Sequence, residues 1–121
     1  MSEEDQIRAV LKDYFDGLYF GDMTRFSSAF HPACRLFTVS DGAVQTIDYA
    51  PYMERCAGRK APVESGEPQV AEIIELTVST PDTAHARVRD AFPPRTFVNE
   101  LSLAKSGGSW KIVSKLYHAF G

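Results

Sequence analysis

Cysteine is scarce in this chain, with two in 121 residues. Cys34 and Cys56 stand far apart and have neither a metal-ligand nor a redox spacing, which argues against a disulfide scaffold or a thiol–disulfide motif and predicts a reduced, cytoplasmic protein. Histidine is scarce too. His31, His85 and His118 share no ligand spacing, so the sequence predicts no structural or catalytic metal, and no cofactor. A concentration of charge of one sign is missing: the net charge is −3 and Lys and Arg are scattered singly, so no basic stripe offers itself to nucleic acid or a membrane surface. No apolar run approaches membrane-spanning length, and the acidic start, Ser2-Glu-Glu-Asp5, is the opposite of a secretory signal. There are no internal repeats and no low-complexity segments.

What remains is globular. Hydrophobic residues make up 44% and aromatic residues 12%, enough for one domain over 1–121 with a core of its own and with rings to line a cavity. The last third carries the clearest pattern. Thr96–Lys105 and Trp110–His118 read as two long strands joined by Ser106-Gly-Gly-Ser109, in which Gly107 and Gly108 supply the positive φ of a tight hairpin. Alternation puts Phe97, Asn99, Leu101 and Leu103 on one face of the first arm. It puts Trp110, Ile112, Ser114, Leu116 and His118 on one face of the second.

The front half is helical. Ile7, Val10, Leu11, Tyr14, Phe15, Leu18 and Tyr19 recur at three- and four-residue steps, with Ser2 and Asp5 as a capping box and Gly21 as the stop. Asp22 caps a short second helix carrying Met23, Phe26, Ala29 and Phe30, which His31-Pro32 ends. Cys34–Ser40 is a strand that Asp41-Gly42 turns back into Ala43–Ile47. Asp48 caps a third helix bearing Tyr49, Tyr52, Met53 and Cys56, closed by Gly58. The stretch 57–69 lacks periodicity and reads either as a lid or as a plain connector. Val70–Thr80, with Val70, Glu72, Ile74, Leu76 and Val78 on one face, and Ala84–Phe92 are strands, and Pro93-Pro94 marks an edge or corner. Helices segregated in front of a meander predict an α+β fold: three helices packed into a curved, cone-shaped antiparallel sheet with an open mouth.

This order, with Tyr14-Phe15 through Gly21-Asp22, Phe30-His-Pro-Ala33, Asn99-Glu-Leu-Ser-Leu103 and Gly108-Ser-Trp-Lys-Ile-Val113, resembles the nuclear transport factor two-like, or cystatin-like, superfamily over nearly the whole chain. Within it the chain looks most like the putative lumazine-binding group and more distantly like the SnoaL-like group. The resemblance implies a dimer and an aromatic ligand. It also implies relatives with isomerase, dehydratase and cyclase activities, so the site must carry the functional argument. The acid that ketosteroid isomerase-like relatives place near Phe37-Thr38-Val39 is missing, which argues against proton abstraction by their route.

Four residues are candidates for chemistry. Tyr14 lies on the apolar stripe, at a position resembling the tyrosine that donates to substrate in ketosteroid isomerase-like enzymes; it is read as a donor to a ligand oxygen or as a core tyrosine. Asn99 sits on an apolar face where such relatives carry a protonated Asp, and reads as a ligand donor or a satisfied interior amide. Asp90 shares a face with Ala86 and Val88, and reads as a buried carboxylate suited to proton transfer or as a strand-end residue exposed by a bulge. His118, if inward, would pair with Asp90; otherwise it is an exposed terminal histidine. Leu18, Phe37, Tyr52, Met53 and Cys56 are expected to join Tyr14 and Asn99 in walling the pocket, and Cys56 reads equally as a small core residue. The expected function is binding of a small hydrophobic or aromatic molecule in an apolar pocket. An isomerase, dehydratase or cyclase using Tyr14, Asp90 and His118 is the alternative, as is a non-catalytic interaction module. The sheet's outer face, with Thr96, Val98, Val113 and Tyr117, is the expected homodimer surface.

Overall fold

The computed structural model describes residues 2–121. Three helices, α1 (Glu3–Phe20), α2 (Met23–Ser28) and α3 (Tyr49–Ala57), pack on six strands: β1 (Phe30–Ser40), β2 (Ala43–Asp48), β3 (Ala71–Val78), β4 (Thr83–Phe92), β5 (Arg95–Ser106) and β6 (Ser109–Phe120). The sheet runs β2-β1-β6-β5-β4-β3, curved and unclosed, and is antiparallel except where β1 lies parallel to β6. This is the α+β architecture the sequence predicts.

Local chemistry explains the helix ends. Ser2 Oγ accepts from the Asp5 amide at 3.1 Å, and Gly21 closes α1 with a left-handed φ of 72°. Asp22 caps α2 through the Arg25 amide at 3.1 Å. The α1 stripe buries Ile7, Leu11, Tyr14 and Phe15. Tyr14 then stacks on Phe26 of α2 with ring centroids 5.7 Å apart, and Phe30 meets both Phe26 and Tyr52 edge-on. The space between helices and sheet is therefore largely filled by rings, with a small chamber left at one end.

Register differs from simple alternation at two bulges. In β6, Ser114 pairs with Ser102 but Ile112 pairs with Leu103, so Val113 is an extra residue. Beyond it the inward set changes from Trp110 and Ile112 to Lys115 and Tyr117, while Leu116 and His118 turn to solvent. The expected single face through Ser114, Leu116 and His118 is thus corrected. In β3, Ile74 is likewise extra between Ile73 and Glu75. Ile73 and Leu76 pack on the core and Ile74 is exposed, so the expected Ile74 face is also corrected. Three boundaries differ as well. β1 starts at Phe30 and runs through His31-Pro32, Pro93-Pro94 forms the β4–β5 hairpin turn, and the stretch 57–69 contains a 3-10 turn at Pro62–Ser65.

Candidate functional site

Five elements each send one polar side chain to the same place: Tyr14 from α1, Tyr52 from α3, Asp90 from β4, Asn99 from β5 and Lys115 from β6. All five are buried. Asp90 and Asn99 arrive by plain alternation, since Ala84, Ala86, Val88 and Asp90 all point inward, as do Asn99, Leu101 and Leu103. Lys115 arrives only because of the bulge at Val113.

Asp90 is the hub. The Tyr14 hydroxyl donates to its Oδ2 at 2.7 Å and the Asn99 amide donates to the same oxygen at 3.0 Å. Its Oδ1 receives neither of these bonds. Burial pushes the Asp90 carboxyl up from its ordinary range; Lys115, Tyr14 and Asn99 pull the other way without reversing the shift. Tyr14 is raised well above the ordinary phenol value, first by burial and then by the Asp90 charge, so it stays a donor. Asn99 Oδ1 is buried without a protein partner, an acceptor left open inside the fold.

Lys115 is the residue that reading by alternation misses. Its Nζ donates to the Tyr52 hydroxyl at 3.1 Å and lies over the rings of Tyr14 and Tyr52 at 5.0 and 5.2 Å. Burial lowers its pKa; the Asp90 charge opposes that shift only in part. Among the described residues the Asp90 and Lys115 charges are not in direct contact. They face a common chamber of about 60 Å³.

That chamber is not the apolar pocket expected. Leu18, Leu36, Tyr52, Phe97 and Tyr117 give it apolar and aromatic walls. Asp90 and Lys115 line it as well, and Arg55 and Arg59 bring two more cations. Arg59 lies over the Phe92 ring at 4.0 Å and donates to Cys56 Sγ at 3.3 Å. Two further cavities, of about 170 and 280 Å³, share Arg59 and Phe92 with the chamber. The 3-10 turn of the 57–69 stretch contributes Glu64 to the first of these and Pro62 and Ser65 to the second.

The other predicted residues divide. Leu18 and Tyr52 line the chamber, and Tyr14 and Asn99 stand behind it holding Asp90. Phe37 lies on the outer sheet face with Arg35 5.9 Å from its ring centroid, and Leu36 takes the inward position. Met53 packs against the core, and Cys56 lines the neighbouring cavity. His118 is exposed beside Phe120, 4.6 Å between ring centroids, and does not approach Asp90. Tyr117, expected on the outer face, turns inward with Lys115. Both differences follow from the same extra residue in β6. Burial pushes the Cys34 thiol up to about 11, which keeps it out of nucleophilic chemistry. Among the described residues no group of three or more His, Cys, Asp or Glu side chains is placed to hold a metal ion, and no helix is long and apolar enough to cross a membrane.

Comparison with known proteins places this geometry in a family. Among solved structures, an NTF2-like protein of unknown function from Shewanella baltica superposes with a TM-score of 0.86 at 24% identity, covering 98% of this chain and 94% of that one. An NTF-2 like protein of unknown function from Silicibacter pomeroyi gives 0.83 at 20% identity, with 99% and 100% covered. A ketosteroid isomerase-like protein from Erwinia carotovora atroseptica gives 0.75 at 17% identity, with 100% and 99% covered. These identities speak to fold alone. A comparison with curated proteins gives no match. The family described as putative lumazine-binding matches residues 2–118, nearly the full chain, and the protein belongs to that family, on the nuclear transport factor two-like fold.

Proposed function

We propose that the chain binds a small planar compound whose edge pairs an N–H donor with an acceptor oxygen, as a cyclic amide does. One observation carries this: Asp90 and Lys115 line one chamber with opposite charges, Asp90 accepting from Tyr14 and Asn99 and Lys115 donating to Tyr52, not to each other. A ligand edge between them would donate to Asp90 Oδ1 and accept from Lys115 Nζ, both charge-assisted bonds in a water-poor site. About 60 Å³ admits only such an edge. Tyr52 and Tyr117 would flank that edge, and the body of the ligand would extend past Arg59 and Phe92 into the adjoining cavities. The family description names lumazine, a bicycle with amide edges of this kind, and it is the probe to use. Calorimetry is expected to register lumazine binding to the wild type. Asp90→Asn and Lys115→Met are each expected to weaken it roughly tenfold, the worth of one charge-assisted bond. Absence of binding, or two variants that bind as the wild type does, would refute the proposal.

A second reading, an isomerase or dehydratase acting on a small carbonyl compound, is favoured by the buried Asp90 carboxyl at the chamber wall, whose hold on a proton burial strengthens. In that reading Lys115 meets the substrate oxygen, because the Tyr14 hydroxyl is already committed to Asp90. The free state of Cys34 and Cys56 supports a reducing, cytoplasmic setting.

We also propose a homodimer through the outer sheet face. Phe37 pairs with Leu116 across β1 and β6, and Val39 with Val44 across β1 and β2. Val39, Val44, Leu116 and Phe120 are large and exposed there, beside the ion pairs of Arg87 with Glu100 and of Arg89 with Glu72. Sedimentation is expected to give a dimer for the wild type and a monomer for Leu116→Glu; a monomeric wild type at high micromolar concentration would overturn this.

A further inference from the structure

We propose that Lys115 is a nucleophilic amine that condenses with an aldehyde or ketone admitted to the chamber, forming an imine. The inference rests on the reading of that chamber as a ligand site. The amine is the wall of a cavity and not a surface group: Lys115 is 5% exposed, yet it lines the chamber alongside Asp90. Its one hydrogen bond to a side chain goes to the Tyr52 hydroxyl at 3.1 Å. Among the described residues no carboxylate holds Nζ directly, so the nitrogen lone pair, once free of its proton, is not turned away from the cavity by an ion pair. Burial favours the neutral amine, and the Asp90 charge opposes it only in part.

The surroundings also suit the product. An imine nitrogen in this position is protonated and keeps one positive charge. The rings of Tyr14, Tyr52 and Tyr117 lie 5.0, 5.2 and 5.9 Å from Nζ and would stabilise that charge with their faces. Asp90, across the same chamber, would be its counter-ion.

The chemistry balances without an oxidant or reductant. Nζ forms a bond to the carbonyl carbon, and the carbonyl π pair moves to oxygen. Asp90 takes, through a bridging water, the proton that the ammonium must lose before it attacks, and a second proton passes from nitrogen to oxygen, giving a carbinolamine. The carbon–oxygen bond then breaks as nitrogen closes the C=N bond, and the oxygen leaves as water with the proton that Asp90 held, which makes Asp90 a carboxylate again. Overall an ammonium and a carbonyl become a protonated imine and one water. The Tyr52 hydroxyl, which burial holds in its protonated form, stands beside the nitrogen and can relay that proton to the departing oxygen, giving one and receiving one.

The probe is benzaldehyde with sodium cyanoborohydride, which reduces an imine to a stable amine, followed by intact mass and peptide mapping. The expected result is one benzyl group per chain, at Lys115, formed faster than at the exposed Lys60 and with its rate midpoint at lower pH. Lys115→Met is expected to lose this adduct while Lys60 still reacts. Asp90→Asn is expected to slow it. Chemical-shift perturbation by benzyl alcohol, which cannot form an imine, separates the two readings. If benzyl alcohol perturbs Tyr52 and Tyr117 and benzaldehyde is trapped no faster at Lys115 than at Lys60, the imine inference falls and the binding site stands. If neither compound engages the chamber, both fall.

Discussion

Lys115→Met is expected to destabilise the chain at pH 7 by about 1–3 kcal/mol, and Asp90→Asn in the same chain to restore most of that loss. The reason is that each buried charge is tolerated partly because of the other. Asp90 keeps Tyr14 and Asn99 as donors in either case, but without Lys115 it loses the cation whose charge offsets its burial, and only Arg55 and Arg59 remain as cations in the chamber wall. A direct buried ion pair broken on one side costs more than this; here the two groups are apart, so the smaller range applies.

The same pair sets a pH signature. Folded Asp90 titrates above its ordinary value of 3.8, so the folded chain holds a proton that the unfolded chain has released. Its contribution to stability is complete below 3.8 and is lost as pH rises through the folded titration. Folded Lys115 titrates below its ordinary value of 10.5, so the unfolded chain holds that proton longer and stability recovers as pH climbs towards 10.5. Between the two titrations both burials cost, and the stability of the wild type relative to the Asp90→Asn, Lys115→Met double variant is at its minimum. Urea unfolding across this range reads the difference directly. A flat difference, or a double variant no more stable than Lys115→Met alone, would mean the two groups do not sense each other.

How much of this was legible in the sequence turns on one residue. Period-two alternation correctly aimed Asp90 and Asn99 inward because β4 and β5 pair without interruption from Thr83 to Ala104. It failed in β6 after Ile112, since one extra residue exchanges the two faces of everything beyond it. Alternation therefore gives His118 the inward place that Lys115 and Tyr117 occupy. Within the predicted face polar Ser114 stands between Ile112 and Leu116, and a single internal serine does not identify a bulge. The helical stripe of α1 was easier, because seven apolar residues at helical spacing over-determine its buried side. The pocket's character was not legible: that a lysine and an aspartate line it, and that rings fill the rest, depends on how five elements meet in space.

Gly17→Ala is expected to destabilise the chain by about 2–4 kcal/mol, lowering the melting temperature by roughly 10 °C, although glycine within a helix is ordinarily improved by alanine. Helix propensity alone would favour the substitution by about 1 kcal/mol. Packing opposes it. A Cβ at Gly17 would lie 2.6 Å from both the N and the Cα of Phe26 and 2.7 Å from its Cβ. Backbone cannot swing aside as the tip of a long side chain can, so α2 must move away from α1. Phe26 stacks on Tyr14, and Tyr14 holds Asp90 at 2.7 Å, so the displacement reaches the chamber through two contacts. Lumazine affinity is expected to fall together with stability. Gly58→Ala is the control: its Cβ would meet the Glu54 carbonyl at 3.5 Å, an ordinary contact at the end of α3, and a change within about 1 kcal/mol is expected. Thermal unfolding of the two variants side by side decides the matter. Should Gly17→Ala melt with Gly58→Ala, the close approach of α1 and α2 is not what sets the position of Tyr14, and the link from helix packing to the Asp90 site is broken.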